Sequence, residues 1–222
     1  MAPQARTATR LPPEERRDEI LEAAREVFAE RGYQKASMRE IARRAGITQA
    51  ALYYHFENKE DLLIIILEQF SNVFYQALLG CMTRAQGPEA GLRSMLRTHI
   101  DVIGARRKDI KILVEDKVHI EGQKLVSIKR KERDILNLYT SCPDELLSAG
   151  RIAGQSPTVA AFGVIGMMNS LYHWYREDGP LGLEELGEVL LGIITGGLFG
   201  ASDGALPAVH VDKRIGSEKK GR

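Results

Sequence analysis

The stretch SMREIARRAGITQAALYYHF, Ser37 to Phe56, decides how this chain reads. SMRE has the form of a capping box, with Ser37 as the cap and Glu40 three residues on to return to its backbone N–H. Apolar residues follow at helical spacing until Ala45 and Gly46 end the helix. Thr48 can cap a second short helix, QAALYYHF. At about 100° per residue, Ile47, Leu52 and Phe56 face inward, while Gln49, Ala50, Tyr53 and Tyr54 project outward. Two short helices joined at a glycine, with Ala42 small enough for close backbone approach, form a helix-turn-helix pattern.

The flanking residues extend it. Pro12 and Pro13 suit a first helical turn, and Glu14, Glu15, Asp18 and Glu19 put negative charge at its positive end. Ile20, Leu21, Ala24, Val27 and Phe28 make one apolar stripe before Gly32 stops the helix. After the motif, Asn58 can cap a further helix with Glu60 and Asp61 in its first turn. That helix runs to about Cys81, and Gly87 with Pro88 interrupts the chain. Periodic segments then cover 89–106, 109–121, 123–141, 158–177 and 183–199, with no alternating strand pattern and no tandem repeat. The expected fold is all-α, a three-helix helix-turn-helix module on a larger helical bundle. Residues 1–11, with Arg6 and Arg10, read as a flexible basic arm; 12–58 as the helix-turn-helix domain; 59–201 as the bundle; 202–222 as a disordered tail.

Composition narrows the class. A chain of 222 residues with net charge +1 can bury one good core, or a small module and a larger one. Cys81 and Cys142 stand far apart without metal or redox spacing. The start lacks the apolar segment of a secretory signal, and acids bracket the apolar run LLIIILEQF too closely for a bilayer span. We therefore expect a cytoplasmic protein with no membrane partner. No glycine-rich phosphate loop, nucleophile elbow or paired-carboxylate segment is present, so no catalytic residue and no cofactor are assigned. Glu115 and His119 fall four apart on an expected helix, a spacing that more commonly marks a solvated face than a metal site; no metal is expected.

The outward face carries nucleic-acid chemistry. Between Arg31 and His55 the basic residues Arg31, Lys35, Arg39, Arg43 and Arg44 meet one acid, Glu40. A glutamine such as Gln49 can bond an adenine edge twice, and small alanines let a helix sit deep in a major groove. Tyrosine hydroxyls and the free N–H groups at Ser37 suit phosphates. A basic patch beside such a helix is the footprint of a nucleic-acid binder.

The segment ILEAAREVFAERGYQKASMREIARRAGITQAALYYHFENKEDLL, about residues 20–63, resembles the DNA-binding domain of TetR-family transcriptional regulators. The resemblance implies that Ser37, Tyr54 and Lys59 grip phosphates, with Tyr53 beside them, and that Thr48, Gln49 and Ala50 open the recognition helix toward bases. His55 would touch the backbone, with Arg39 and Arg43 in the surrounding basic patch. It also implies a homodimer, double-stranded operator DNA as partner and a small-molecule effector pocket in the bundle. Independently, TVAAFGVIGMMNSLYHWYRE (158–177) is apolar on more than one face and LEELGEVLLGIITGGLFG ends in an apolar, glycine-rich half, so both need burial against other helices. Ile193, Gly196, Gly197 and Phe199 are the expected dimer contacts.

NSLYHWYREDGPLGLEEL, residues 169–186, is similar to the corresponding segment of TetR regulators of lipid breakdown, several of which respond to acyl-CoA thioesters. Phe70, Phe74, Met95, His99, Met168, Asn169, Tyr172, His173 and Trp174 are the expected pocket residues for a hydrophobic ligand, Asn169 and His173 being a polar pair one turn apart. The basic runs ARRKD (Arg106, Arg107, Lys108) and IKRKERD (Lys129, Arg130, Lys131, Arg133) are candidates for an anionic head group. The fourth helix is expected to transmit ligand binding to the DNA-binding module. The leading expectation is a repressor released by acyl-CoA; the alternatives are a drug-efflux regulator sensing lipophilic compounds, and, in other classes, a helical enzyme or an effector-free DNA binder.

Overall fold

The structure, a computed structural model, describes residues 12–148 and 156–199. The expected basic arm and carboxy-terminal tail lie outside them. Among the described residues there are nine α-helices and no strand. They are α1 (Pro13–Lys35), α2 (Met38–Arg44), α3 (Gln49–His55), α4 (Lys59–Arg84), α5 (Pro88–Ala105), α6 (Arg107–Glu115), α7 (Leu125–Ser148), α8 (Pro157–Trp174) and α9 (Leu183–Phe199). Two short 3₁₀ turns, Lys117–His119 and Gly122–Lys124, join α6 to α7.

The short helices begin and end where local chemistry directs. Ser37 Oγ accepts the Glu40 N–H at 3.2 Å, Thr48 Oγ1 the Ala51 N–H at 3.1 Å and Asn58 Oδ1 the Asp61 N–H at 2.9 Å. The Glu40 carboxylate turns to Arg31, 2.8 Å away, so it serves an ion pair where the capping box has it return to the Ser37 N–H. Gly32 and Gly46 adopt φ of 74° and 67°, a region that disfavours side chains bearing a Cβ; Gly32 kinks α1 near its carboxy-terminal end, and Gly46 turns the chain between α2 and α3.

Two apolar cores form. The smaller gathers Ile20, Val27, Phe28, Ile41 and Leu52 from the first three helices and is closed by Leu62, Leu63, Ile66 and Leu67 of α4. Ile112, Ile120 and Ile128 complete it, so the amino-terminal core is shared with the bundle. The larger core is built from α4, α5, α7, α8 and α9, with Ile110 of α6. By length and composition α4 could cross a membrane. Its apolar residues are instead spent on the two cores, Leu62 to Leu67 in one and Phe70, Phe74 and Leu78 in the other.

Candidate nucleic-acid interface and effector cleft

Ion pairs set the attitude of α2 and α3 on α1. Arg44 bridges Glu26 and Glu30 of α1 at 2.9 and 2.6 Å, and Arg31 reaches across to Glu40. Arg17 donates to the His55 carbonyl at 3.2 Å, and its guanidinium lies 4.4 Å from the Phe56 ring centroid. The carboxy-terminal end of α3 is thus held to the first helix, with Leu52 and Phe56 buried beneath it.

The opposite side of α3 is bare. Thr48, Gln49 and Ala50 are exposed, and Tyr53 and Tyr54 keep 48% and 86% of their surface. Tyr54 meets His55 edge-on at 5.2 Å. Ser37, Arg39 and Arg43 are exposed on the neighbouring helix. Of the five basic residues between Arg31 and His55, Arg44 and Arg31 are spent on carboxylates, while Lys35, Arg39 and Arg43 are exposed, Arg43 with only a long approach of 3.9 Å to Glu40.

Lys59 departs from the expected phosphate grip. Its ammonium donates to the carbonyls of Tyr33 at 2.6 Å, Ala36 at 3.0 Å and Gln34 at 3.4 Å, and sits 4.2 Å from the Tyr33 ring centroid. All three donors serve the end of α1, and burial pushes the ammonium below the usual lysine range. The residue ties the α1–α2 turn to the start of α4; a direct phosphate contact would require it to give up one of these bonds.

The expected pocket residues divide. Phe70, Phe74, Met95, His99 and Met168 are all buried in the larger core, with Phe70 stacked on Phe74 at 5.9 Å. His99 Nδ1 lies 2.6 Å from Tyr139 Oη, and His99 Nε2 lies 3.2 Å from Asn169 Oδ1. This arrangement fits a neutral ring that accepts from tyrosine and donates to the amide oxygen. Burial holds its pKa at about 4. Asn169 therefore pairs with His99 rather than His173, which is exposed. Trp174 is 51% exposed and donates to Ser170, so it stands on the surface outside this group. Phe and Met at these positions pack against other helices as core filler, which helical periodicity alone cannot separate from a pocket lining. Nor do Glu115 and His119 share a helix face, because α6 ends at Glu115 and the His119 ring stacks on Tyr33 at 5.5 Å.

A cleft of about 870 Å³ opens elsewhere, between α1, the α5–α6 junction and the end of α8. Arg25, Arg106, Arg107, Lys108 and Lys111 line it beside Tyr172 and His173, with Glu22, Asp109, Glu115 and Glu177 as the acids. The run ARRKD reaches this cleft, whereas IKRKERD lies on α7 away from it, Lys131 covering the Tyr75 ring at 4.5 Å. Sequence reading missed Arg25, Lys111 and Asp109. Their cross-links to α6 or α1 span more than eighty residues, and no local signal marks them.

On the far side of the bundle, α8 exposes Val159, Phe162, Gly163, Gly166 and Met167, and α9 exposes Val189, Gly192, Ile193, Gly196 and Gly197. Each set follows i, i+3, i+4, i+7, i+8, an apolar stripe of one helical face. A Cβ built on any of these five glycines would meet no atom within 4 Å. Ile193, Gly196 and Gly197 lie in the stripe; the Phe199 side chain is outside the described residues.

Residues 20–65 match the model for bacterial regulatory proteins of the tetR family, and residues 85–198 match the tetracyclin repressor-like carboxy-terminal domain. The transcriptional activator FasR of Mycolicibacterium smegmatis is 28% identical over 198 residues, covering 87% of each chain. The transcriptional repressor KstR2 of the same organism is 24% identical, covering 84% of this chain and 92% of its own. The crystal structure of AibR in complex with isovaleryl coenzyme A and operator DNA superposes with a TM-score of 0.76 at 29% identity, over 83% of this chain and 98% of that one. Since the carboxy-terminal match alone spans more than half of the sequence, and the bare face of α3 falls within the amino-terminal match, the chain belongs to the TetR family of transcriptional regulators.

Proposed function

We propose that this regulator acts as a dimer on a partly palindromic operator and is released from it by an acyl-CoA thioester. The observation that carries the DNA reading is the exposed, acid-poor face of α2 and α3, where Gln49, Ala50, Tyr53 and Tyr54 stand outward over a helix clamped from behind. In this reading residues 48–55 enter a major groove, Gln49 reads a base edge, and Ser37, Arg39, Arg43 and Tyr54 position the module on phosphates. Residues 12–58 form the DNA-binding unit and 59–201 the effector and dimerisation unit. The stripes on α8 and α9 meet their counterparts in a second copy, an isologous four-helix contact.

The effector class is supported by AibR, whose structure holds isovaleryl coenzyme A, and by 23% identity to the fatty acid metabolism regulator of Bacillus subtilis. The cations of the cleft agree, since a neutral lipophilic drug would leave them without a counterpart. Repression follows KstR2 rather than the activator FasR. A nuclease footprint on DNA upstream of its own gene tests the reading. Two protected half-sites about one helical turn or slightly more apart are expected; uniform cleavage, with no protected site at any protein concentration below that which coats non-specific DNA, contradicts it.

A further inference from the structure

The cleft has an unusual wall. Glu22, Arg25 and Ala29 belong to α1, the helix that carries the recognition module, whereas Arg106, Arg107, Lys108, Asp109 and Lys111 belong to the α5–α6 junction of the bundle. Cross-links span the seam between them. Arg25 bonds Asp109 at 3.0 Å, Lys111 donates to the Ala29 carbonyl at 2.6 Å, and Lys108 approaches Glu26 at 3.5 Å and Glu22 at 4.0 Å. Asp109 is buried, and desolvation pushes its carboxyl above the usual range against the pull of Arg25 and Arg106.

The cations are unequally engaged. Arg25 is held by Asp109, Glu22 and Gln69, and Lys111 by a carbonyl. Arg106 reaches Asp109 only at 3.6 Å and keeps 41% of its side chain exposed, and Lys108 keeps 53%. Arg107 uses its Nε on the Tyr172 carbonyl at 2.9 Å, and no carboxylate pairs with it among the described residues. Of the acids, Asp109 and Glu22 are paired with Arg25, Glu115 sits by the Tyr172 hydroxyl, and Glu177 is exposed at the rim. Three weakly held cations line a cleft of small-molecule size and supply the charge that an organic phosphate needs.

We propose that this cleft binds the phosphates of an organic phosphate on Arg106, Arg107 and Lys108, and that binding loosens the module from the bundle by drawing Lys108 off Glu22 and Glu26 of α1. The anion and these two carboxylates compete for the Lys108 ammonium, so occupancy weakens one of the ties between α1 and α6. As the seat of a coenzyme A head, this inference rests on the acyl-CoA reading above; as a phosphate site it stands on the cleft alone. The acyl chain plays no part in it, and a head-group fragment should bind without one.

Calorimetry on the full-length protein tests this with adenosine 3′,5′-bisphosphate, coenzyme A, an acyl-CoA, the matching free fatty acid and inorganic phosphate as separate probes. The bisphosphate should bind, with affinity falling on the order of tenfold or more in Arg107→Ala and in Arg106→Ala with Lys108→Gln, while Arg93→Ala on the distant surface of α5 leaves it unchanged. Arg107→Lys, which keeps charge, should recover part of the loss. Bisphosphate binding that is equal in all variants, or absent, overturns the site. Acyl-CoA binding that survives Arg107→Ala overturns the cleft as the seat of the coenzyme A head, yet leaves the effector assignment standing. Bisphosphate binding lost in Arg107→Ala, with no acyl-CoA binding to the wild type, supports the site and overturns the effector assignment. Inorganic phosphate that binds as tightly as the bisphosphate supports the site and identifies a free anion as its ligand.

Discussion

Asp116 Oδ1 accepts the backbone N–H of Tyr33 at 3.0 Å, joining the cap of α6 to the turn that separates α1 from α2. Asp116 is buried, and desolvation drives its carboxyl above the usual range while the Tyr33 N–H opposes the rise. Lys59 grips the Tyr33 carbonyl from the other side, and His119 stacks on the Tyr33 ring. One residue of the DNA-binding module is thereby fixed by two helices of the bundle. Asp116→Ala should cost roughly 1–3 kcal/mol of stability by leaving that N–H without its acceptor, and Asp116→Asn, which keeps an acceptor oxygen, should cost much less. Urea denaturation followed by circular dichroism separates them; equal loss in both would show that the charge matters, not the bond.

Lys59 and the outward residues of α2 and α3 should behave differently on DNA. Arg39→Ala or Arg43→Ala should each lower the slope of log affinity against log salt by about 2, since the dimer loses one phosphate contact in each subunit. Tyr54→Phe should weaken binding with the slope unchanged, because the hydroxyl is neutral. Lys59→Ala should chiefly lower folding stability, by roughly 1–3 kcal/mol, since three carbonyls lose their donor. A slope change in Lys59→Ala as large as in Arg39→Ala would restore the phosphate role that its carbonyl bonds argue against.

The stripe on α9 makes a prediction about assembly. Ile193 is 55% exposed in the single chain, so Ile193→Asp should leave each subunit folded while producing monomers. Multi-angle light scattering at micromolar concentration measures this directly, and a dimer that persists argues for a different contact surface.

His99 gives the molecule a pH dependence of known sign. Its folded pKa of about 4 lies below the ordinary 6.5, so the unfolded chain takes up the proton first as pH falls. The stability that depends on a neutral ring is complete above pH 6.5 and is lost as the pH drops toward 4, by about 3 kcal/mol at most. His99→Gln, which retains hydrogen-bonding groups, should flatten the stability curve across that window relative to wild type. Parallel curves for the two proteins would mean that His99 is not the group responsible.

What could be read from the sequence follows from the range of the interactions involved. Ser37, Thr48 and Asn58 cap helices through bonds to N–H groups three residues on, and Gly32 and Gly46 turn the chain by their own backbone freedom, so the three-helix module was legible residue by residue. The stripes of α8 and α9 were visible as surplus apolar surface, which declares a need for burial without declaring the partner. The bonds of Lys59 were not legible because its carbonyl partners lie 23 to 26 residues upstream. Pocket and core were indistinguishable for a related reason. Phe70 and Phe74 look the same in sequence whether they line a cavity or fill a core, and only the packing of α5, α7 and α8 around them decides. Transmission was assigned to α4, which shares both cores and is tied to α1 through Lys59 and Gln69; α6 adds polar ties of its own through Asp109, Lys111 and its cap Asp116.

The central claim, that an acyl-CoA thioester releases this regulator from DNA, is tested most directly by fluorescence anisotropy of a labelled operator fragment titrated with protein at fixed salt, with and without ligand. A saturating acyl-CoA should weaken operator affinity by roughly 5- to 150-fold, the range of ordinary allosteric coupling, while the matching free acid and lipophilic drugs leave it unchanged. Unaltered affinity with every acyl-CoA, together with release by an uncharged lipophilic compound, would contradict the account.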